Sequence, residues 1–139
     1  MIPYEIIEHT AEIGILARGR TLKELFCNMA SGMFSLIIPP DDLQSLESER
    51  VRASSDSLDT LLVAWLRELL FLFATKNFLM RSFDITRMDE TSLEAVVTGE
   101  RFDPDRHRLN KEIKAVTYCD LCVRQELDGT WVAQVIFDI

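Results

Sequence analysis

Apolar residues along this chain recur with two different periods, and the order of those periods decides its architecture. Leu22, Leu25, Phe26, Met29, Ala30, Met33 and Phe34 follow the i, i+3, i+4 spacing of one buried helix face. The same spacing returns from Leu58 through Leu61, Leu62, Trp65, Leu66, Leu69, Leu70 and Phe73. Around these two runs the period drops to two, as in Ile13, Ile15 and Ala17, and again in Leu93, Ala95 and Val97. Side chains that alternate in this way share one face of a strand and no face of a helix. The chain therefore reads as two short strands, two helices and then several mostly antiparallel strands. That order predicts an α+β fold, a two-layer sandwich with both main helices on one face of a mostly antiparallel sheet.

The punctuation agrees with the periods. Thr21-Leu22-Lys23-Glu24 has the form of a capping box, in which the Thr hydroxyl accepts from the Glu24 N–H and the Glu reaches back. Pro39-Pro40 stops the first helix, because proline lacks the donor and restricts the residue before it. Asp41 to Arg50 reads as a polar loop, and Val51 to Ala53 as a short strand. Ser57 is placed to cap the second helix, with Asp59 favoured in its first turn by the helix dipole. This helix is polar only on a narrow side near Arg67 and Glu68, so it is the central element. A hairpin follows around Asp89-Glu90-Thr91, then a loop from Glu100 to Asn110. Glu112 to Thr117 and Leu121 to Leu127 are extended, Asp128-Gly129 is a hairpin turn, and Trp131 to Asp138 is the last strand.

A length of 139 residues fits one domain over 1–139, large enough to bury roughly two-thirds of its unfolded surface. Fifteen Lys and Arg stand against 23 Asp and Glu, a net charge of −8. Such a molecule is repelled by phosphate backbones and by anionic lipid, so neither direct nucleic-acid binding nor membrane docking is expected. A basic protein partner or a hard cation suits it better. Cys27, Cys119 and Cys122 are an odd number, and Met1-Ile2-Pro3-Tyr4-Glu5 has no basic start followed by an apolar run. Both point to a reducing, cytoplasmic setting. The apolar stretch from Leu61 to Ala74 is broken by Arg67 and Glu68 and is too short to span a bilayer.

Residues that could carry chemistry are few. Glu12 begins a strand, Asp138 ends the last one, and Ile139 supplies a terminal carboxylate. If those strand ends are neighbours, their oxygens converge and attract Ca²⁺, Mg²⁺ or Mn²⁺; if not, they are a solvated terminus. His9 and His107 are potential imidazole ligands or proton carriers, or simply turn and loop residues. Lys114, on the same strand face as Val116, holds an anion or discourages edge pairing. Cys119-Asp120-Leu121-Cys122 is formally a CxxC, but in a strand its two thiols point to opposite faces, and no second pair exists. No phosphate-cradling glycine loop, GxSxG, HExxH or EF-hand loop is present.

Several segments, taken in order, resemble the archease family. They are Glu8-His9-Thr10-Ala11-Glu12-Ile13-Gly14, then Gly19 with Thr21 to Phe26, Ala30-Ser31-Gly32-Met33-Phe34 and Leu61 to Leu70. Gly99-Glu100, Asp103-Pro104-Asp105-Arg106-His107, Glu112 to Tyr118 and Val135-Ile136-Phe137-Asp138-Ile139 complete the match. The resemblance implies a small α+β accessory protein of an RtcB-type tRNA-splicing RNA ligase, not itself an enzyme. It further implies promotion of metal-dependent guanylylation and multiple turnover. The implied cation is divalent, calcium first, with manganese and magnesium as alternatives, held by Glu12, Asp138 and Ile139. Lys114 matches the family lysine important for activation. Two departures stand out: Glu12 where the family usually has Asp, and Cys119 where it usually has His. The rival readings are a general chaperone or interaction module with a structural cation, and a metal-dependent hydrolase using Glu12, Asp138 and His9 to activate water.

Overall fold

The period-two segments become strands and the two helical runs become helices in a computed structural model that describes residues 1–8 and 11–139. The strands are β1 (Tyr4–Glu8), β2 (Glu12–Gly19), β3 (Glu47–Ser54), β4 (Phe78–Met88), β5 (Ser92–Arg101), β6 (Ala115–Gln125) and β7 (Trp131–Asp138). The helices are α1 (Leu22–Ile37) and α2 (Leu58–Lys76). The α+β class holds, with one correction. The described strands form two antiparallel sheets, in the orders β1-β2-β7-β6 and β3-β5-β4, rather than a single one.

The second sheet gains the first half of its third strand from a stretch expected to be loop. Glu47, Ser48, Glu49 and Arg50 carry no apolar signal, yet they pair in register with Gly99, Thr98, Val97 and Val96 of β5. Only Val51 and Ala53 of β3 turn a buried side chain inward. The strand is held by its ladder more than by its own hydrophobicity, which is how tertiary context overrides local preference. Between α1 and this strand, Pro40–Asp42 makes a single 3₁₀ turn.

The two helices knit the sheets together. α1 packs on β2 of one sheet and β4 of the other, and α2 packs on β3 and β6. Trp65 of α2 is fully buried, and its indole N–H donates to Phe26 O of α1 at 3.0 Å. Both requirements of a buried indole, apolar contact and a hydrogen-bond partner, are therefore met. Phe83 of β4 lies against both Phe34 and Trp65. At the start of α1, Thr21 accepts from the Glu24 N–H at 3.1 Å, but Glu24 takes its return bond from Arg20 N instead of Thr21 N. The complete capping box is on α2, where Ser57 and Thr60 bond reciprocally. Gly99 is required by close approach: a Cβ there would stand 1.9 Å from Leu79 O across the β4–β5 ladder.

Candidate functional site

β2 and β7 are central neighbours, and their register decides what stands at the end of the sheet. Ile13 lies opposite Phe137, and both are buried. One step further along, alternation sends the pair Glu12 and Asp138 to the other face, directly across from each other. β6 completes the row with Ala115 opposite Asp138. The backbone closes around this end. Lys114 N–H donates to Asp138 O at 2.8 Å, and Ile139 N–H donates to Ala11 O at 3.3 Å. Glu12, Asp138, Ile139 and the start of β6 are thus gathered in one place from opposite ends of the sequence.

Two carboxylates directly opposite on a sheet repel, so the pair is a cost to the fold unless something positive sits with it. None of the ion pairs among the described residues includes Glu12 or Asp138. Their donors are hard oxygens, which fits a divalent cation of the calcium or magnesium type. Among the described residues no group of three or more His, Cys, Asp or Glu side chains converges on a metal position. A cation bound here would accordingly take its remaining ligands from Ile139 and water.

Beside this pair, β6 is interrupted. Thr117 pairs with Ile136 and Cys122 with Gln134, so residues 118–121 bulge out of a ladder that spends one residue on the partner strand. Asp120 adopts the left-handed conformation, φ 51°, a state that Asn and Asp tolerate better than most. The bulge is held at both ends: Cys119 N–H donates to Thr117 Oγ1 at 3.2 Å, and Gln134 Nε2 donates to Asp120 O at 3.2 Å. It exposes Tyr118, Cys119 and Asp120. The negative charge of Asp120, with burial and the charges of Glu12 and Asp138, pushes the Cys119 thiol above its ordinary pKa. A thiol in such a field is a poor nucleophile. Cys119 and Cys122 are both free, so the CxxC is not a bridge.

On its inner side the bulge is anchored by α2. The Arg67 guanidinium donates to Val116 O at 2.9 Å and to the Tyr118 hydroxyl at 2.9 Å, and its carbon lies 4.6 Å from the Tyr118 ring centroid. Arg67 breaks the apolar run of α2 because it has a partner to meet on β6.

A second polar cluster lies at the end of β5. Glu100 is only 2% exposed. Its Oε2 accepts from Gln44 N–H at 2.5 Å, and Arg106 grips both oxygens, at 2.5 Å and 3.4 Å. Burial pushes Glu100 upward, but the Arg106 and Gln44 bonds and the Arg106 charge outweigh it and leave the carboxyl below its ordinary pKa. His107 is buried too. Its Nδ1 accepts from Asp103 N–H at 2.9 Å, which puts the proton of a neutral ring on Nε2. Nε2 stands 3.2 Å from Glu100 Oε1 but out of hydrogen-bond alignment. Phe102 stacks on the ring, with centroids 6.1 Å apart.

The candidates separate accordingly. Glu12, Asp138 and Ile139 come together. Lys114 reaches them through its backbone; it precedes β6 rather than lying on the face of Val116, which is buried in the core, and its side chain is exposed. His107 is tied to Glu100 and Asp103 in a buried knot rather than to the carboxylate pair. His9 lies outside the described residues. Arg67 and Glu100 were not among the sequence candidates. The signals for them were a charge inside an otherwise apolar or alternating run and their place in segments that carry the family resemblance.

The comparisons with known proteins agree along the whole length. Residues 4–139 match the model of the Archease protein family (MTH1598/TM1083). Protein archease of Methanosarcina acetivorans is 42% identical over 140 residues, covering 98% of this chain and 95% of the relative. Protein archease of Pyrococcus furiosus is 32% identical, with both chains covered completely. The solution structure of Methanobacterium thermoautotrophicum protein 1598 superposes with a TM-score of 0.87 at 32% identity, covering 100% of each chain. A Thermotoga maritima structure, described as an archease and possible chaperone, has a TM-score of 0.66 at 18% identity, with 96% of this chain and 94% of that one covered, and shares the fold. In its whole described architecture, and over nearly every residue of its sequence, the chain belongs to the archease family.

Proposed function

We propose that this protein is an accessory activator of an RtcB-type RNA ligase in tRNA splicing and RNA repair, and that it binds a divalent cation in that role. The observation that carries the reading is the β2–β7 register, which sets Glu12 opposite Asp138 with Lys114 bonded to Asp138 O. Glu12, Asp138 and Ile139 would hold the ion, calcium first, with manganese and magnesium as alternatives. The bound cation would offset the repulsion between the two carboxylates and present a positive centre at the sheet end. The protein itself is not the ligase. It acts by binding better to the ligase conformer competent for guanylylation, since equal affinity for both conformers shifts nothing. A net charge of −8 suits a basic, RNA-binding partner.

The test is ligation by the cognate ligase with and without this chain, scored as nucleotidylated intermediate and as joined RNA. More intermediate and more turnovers with the chain present are expected. An unchanged yield at saturating chain would overturn the reading. The Thermotoga relative's description as a possible chaperone favours one other outcome, protection of a partner from aggregation without any effect on turnover.

A further inference from the structure

The register of β6 overturns one expectation about its two cysteines. In an unbroken strand, residues three apart face opposite ways, with Cα atoms about 10 Å apart. A disulfide needs about 4.4–6.8 Å and side chains that point toward each other. Thr117 and Cys122, however, stand opposite Ile136 and Gln134, so five steps along β6 are taken up within two steps of β7. Two extended steps cover about 7 Å, where five would cover about 17 Å. The chain between Thr117 and Cys122 is therefore folded back on itself. Asp120, left-handed at φ 51°, lies between the two cysteines.

The surplus residues also reverse the alternation. Tyr118 turns to α2, where Arg67 meets its hydroxyl, and Leu121 packs against the core. Cys122 lies opposite Gln134, on the outer face that also carries Asp138. The charges of Glu12 and Asp138 act on the Cys119 thiol, which puts it toward that same face. Both cysteines thus leave the sheet on one side; Cys119 is exposed and Cys122 half-buried. Gln134 Nε2 ties the loop down through Asp120 O. Arg124 Nη1 donates to Cys122 Sγ at 3.7 Å, so a guanidinium accompanies that sulfur.

We propose that Cys119 and Cys122 form a reversible disulfide across the bulge, a redox-responsive site beside the Glu12–Asp138 pair. This structure holds both thiols reduced. The oxidant is a small disulfide such as glutathione disulfide. Cys122 gives up its proton and its sulfur attacks one glutathione sulfur; the glutathione S–S bond breaks and the first glutathione leaves as thiolate. Cys119 then gives up its proton and attacks the Cys122 sulfur, and the second glutathione leaves. Two protein thiols are oxidised and one glutathione disulfide is reduced to two thiols. Arg124 makes Cys122 the first to attack, because its charge meets the sulfur anion. Cys119 sits among carboxylates and acts second, against a partner already held close by the loop. Cys27 is on α1, half-buried and donating to Phe83 O, and takes no part. A bridge of this kind is transient in a reducing compartment rather than a structural staple. It is independent of the ligase reading, and the ligation assay does not bear on it.

The test equilibrates the full chain in glutathione buffers from fully reduced to fully oxidised, traps free thiols with iodoacetamide, and reads intact and peptide masses. The expected product has lost two hydrogens, carries Cys119 linked to Cys122, and returns to the dithiol with dithiothreitol. Cys27 should remain open to alkylation after unfolding. Cys119→Ser should stop at a glutathione adduct on Cys122. In ¹⁵N spectra, closure should shift the amides of residues 117–123 while the rest of the spectrum shows an intact fold. The equilibrium constant for the bridge against glutathione should be about tenfold larger in the folded chain than in urea. An equal or smaller constant would mean that the bulge does not bring the thiols together, and would overturn the proposal. So would glutathione adducts that persist on both wild-type cysteines, or bridges that form only between two chains.

Discussion

Glu100 and the Glu12–Asp138 pair are carboxylates at strand ends of one small protein, and their surroundings are opposite. Glu100 is buried and accepts from a backbone N–H and from both arms of a guanidinium. Glu12 and Asp138 face each other across β2 and β7, and among the described residues no cation pairs with either. A buried carboxylate with its donors filled belongs to the fold, because removing it strands those donors. A carboxylate pair left facing itself has no such donors to strand, and its placement adds repulsion to the fold instead. The contrast separates an acid whose donors the fold supplies from a pair that, among the described residues, no cation meets.

The largest expected effect breaks the first half of that contrast. Glu100→Ala leaves Arg106 and the Gln44 N–H without their partner, and should cost about 3 kcal/mol in a urea melt. A cost under about 1 kcal/mol would mean that the knot does not hold the loop. The second half is sharpened by Asp138→Ala. Without metal its melt should match wild type within about 0.5 kcal/mol. With calcium at a hundred times its dissociation constant, wild type should gain about 2.7 kcal/mol and the variant nothing. Equal destabilisation with and without calcium would make Asp138 another structural acid.

Acidification separates the two kinds further, by a smaller amount. Glu100 titrates lower in the folded state than its ordinary 4.5, so the native chain binds fewer protons there than the unfolded one. Its contribution is complete above the ordinary value and is lost as pH falls through the lowered one. Melts below pH 4.5 should therefore fall more steeply in wild type than in Glu100→Gln; parallel slopes would remove Glu100 from the account. The smallest effect concerns the support of the bulge. Arg67→Ala loses the Val116 O bond and the stack on Tyr118, and should cost about 1 kcal/mol, read in the same melts.

What the residues disclosed depended on whether each element is shaped by its own side chains. β2, β7 and both helices carry their apolar period openly, and so the pairing end at Glu12 and Asp138 was within reach. Only Val51 to Ala53 of β3 was legible; its first half was hidden because four polar residues open it and the β5 ladder holds them. The division into two sheets was hidden because it depends on which strands pair over long separations, which alternation within each strand does not state. The bulge at 118–121 is set by register rather than by a turn signal, so the break between the extended segments ending at Thr117 and starting at Leu121 was visible but its form was not. His107 is buried because Asp103 N–H and the Phe102 ring receive it, a partnership no spacing announces.

The β2–β7 register also has a kinetic side. Its two strands come from nearly opposite ends of the polypeptide, yet they form the centre of their sheet. Closing so long a loop is an entropic barrier that local contacts in α1, α2 and the β4–β5 hairpin do not repay. The Glu12–Asp138 pairing therefore belongs to the late steps of folding, and on the ribosome it waits until β7 has emerged. An immature or partly opened chain has helices and a hairpin but lacks the acidic end, so only finished molecules are able to offer it.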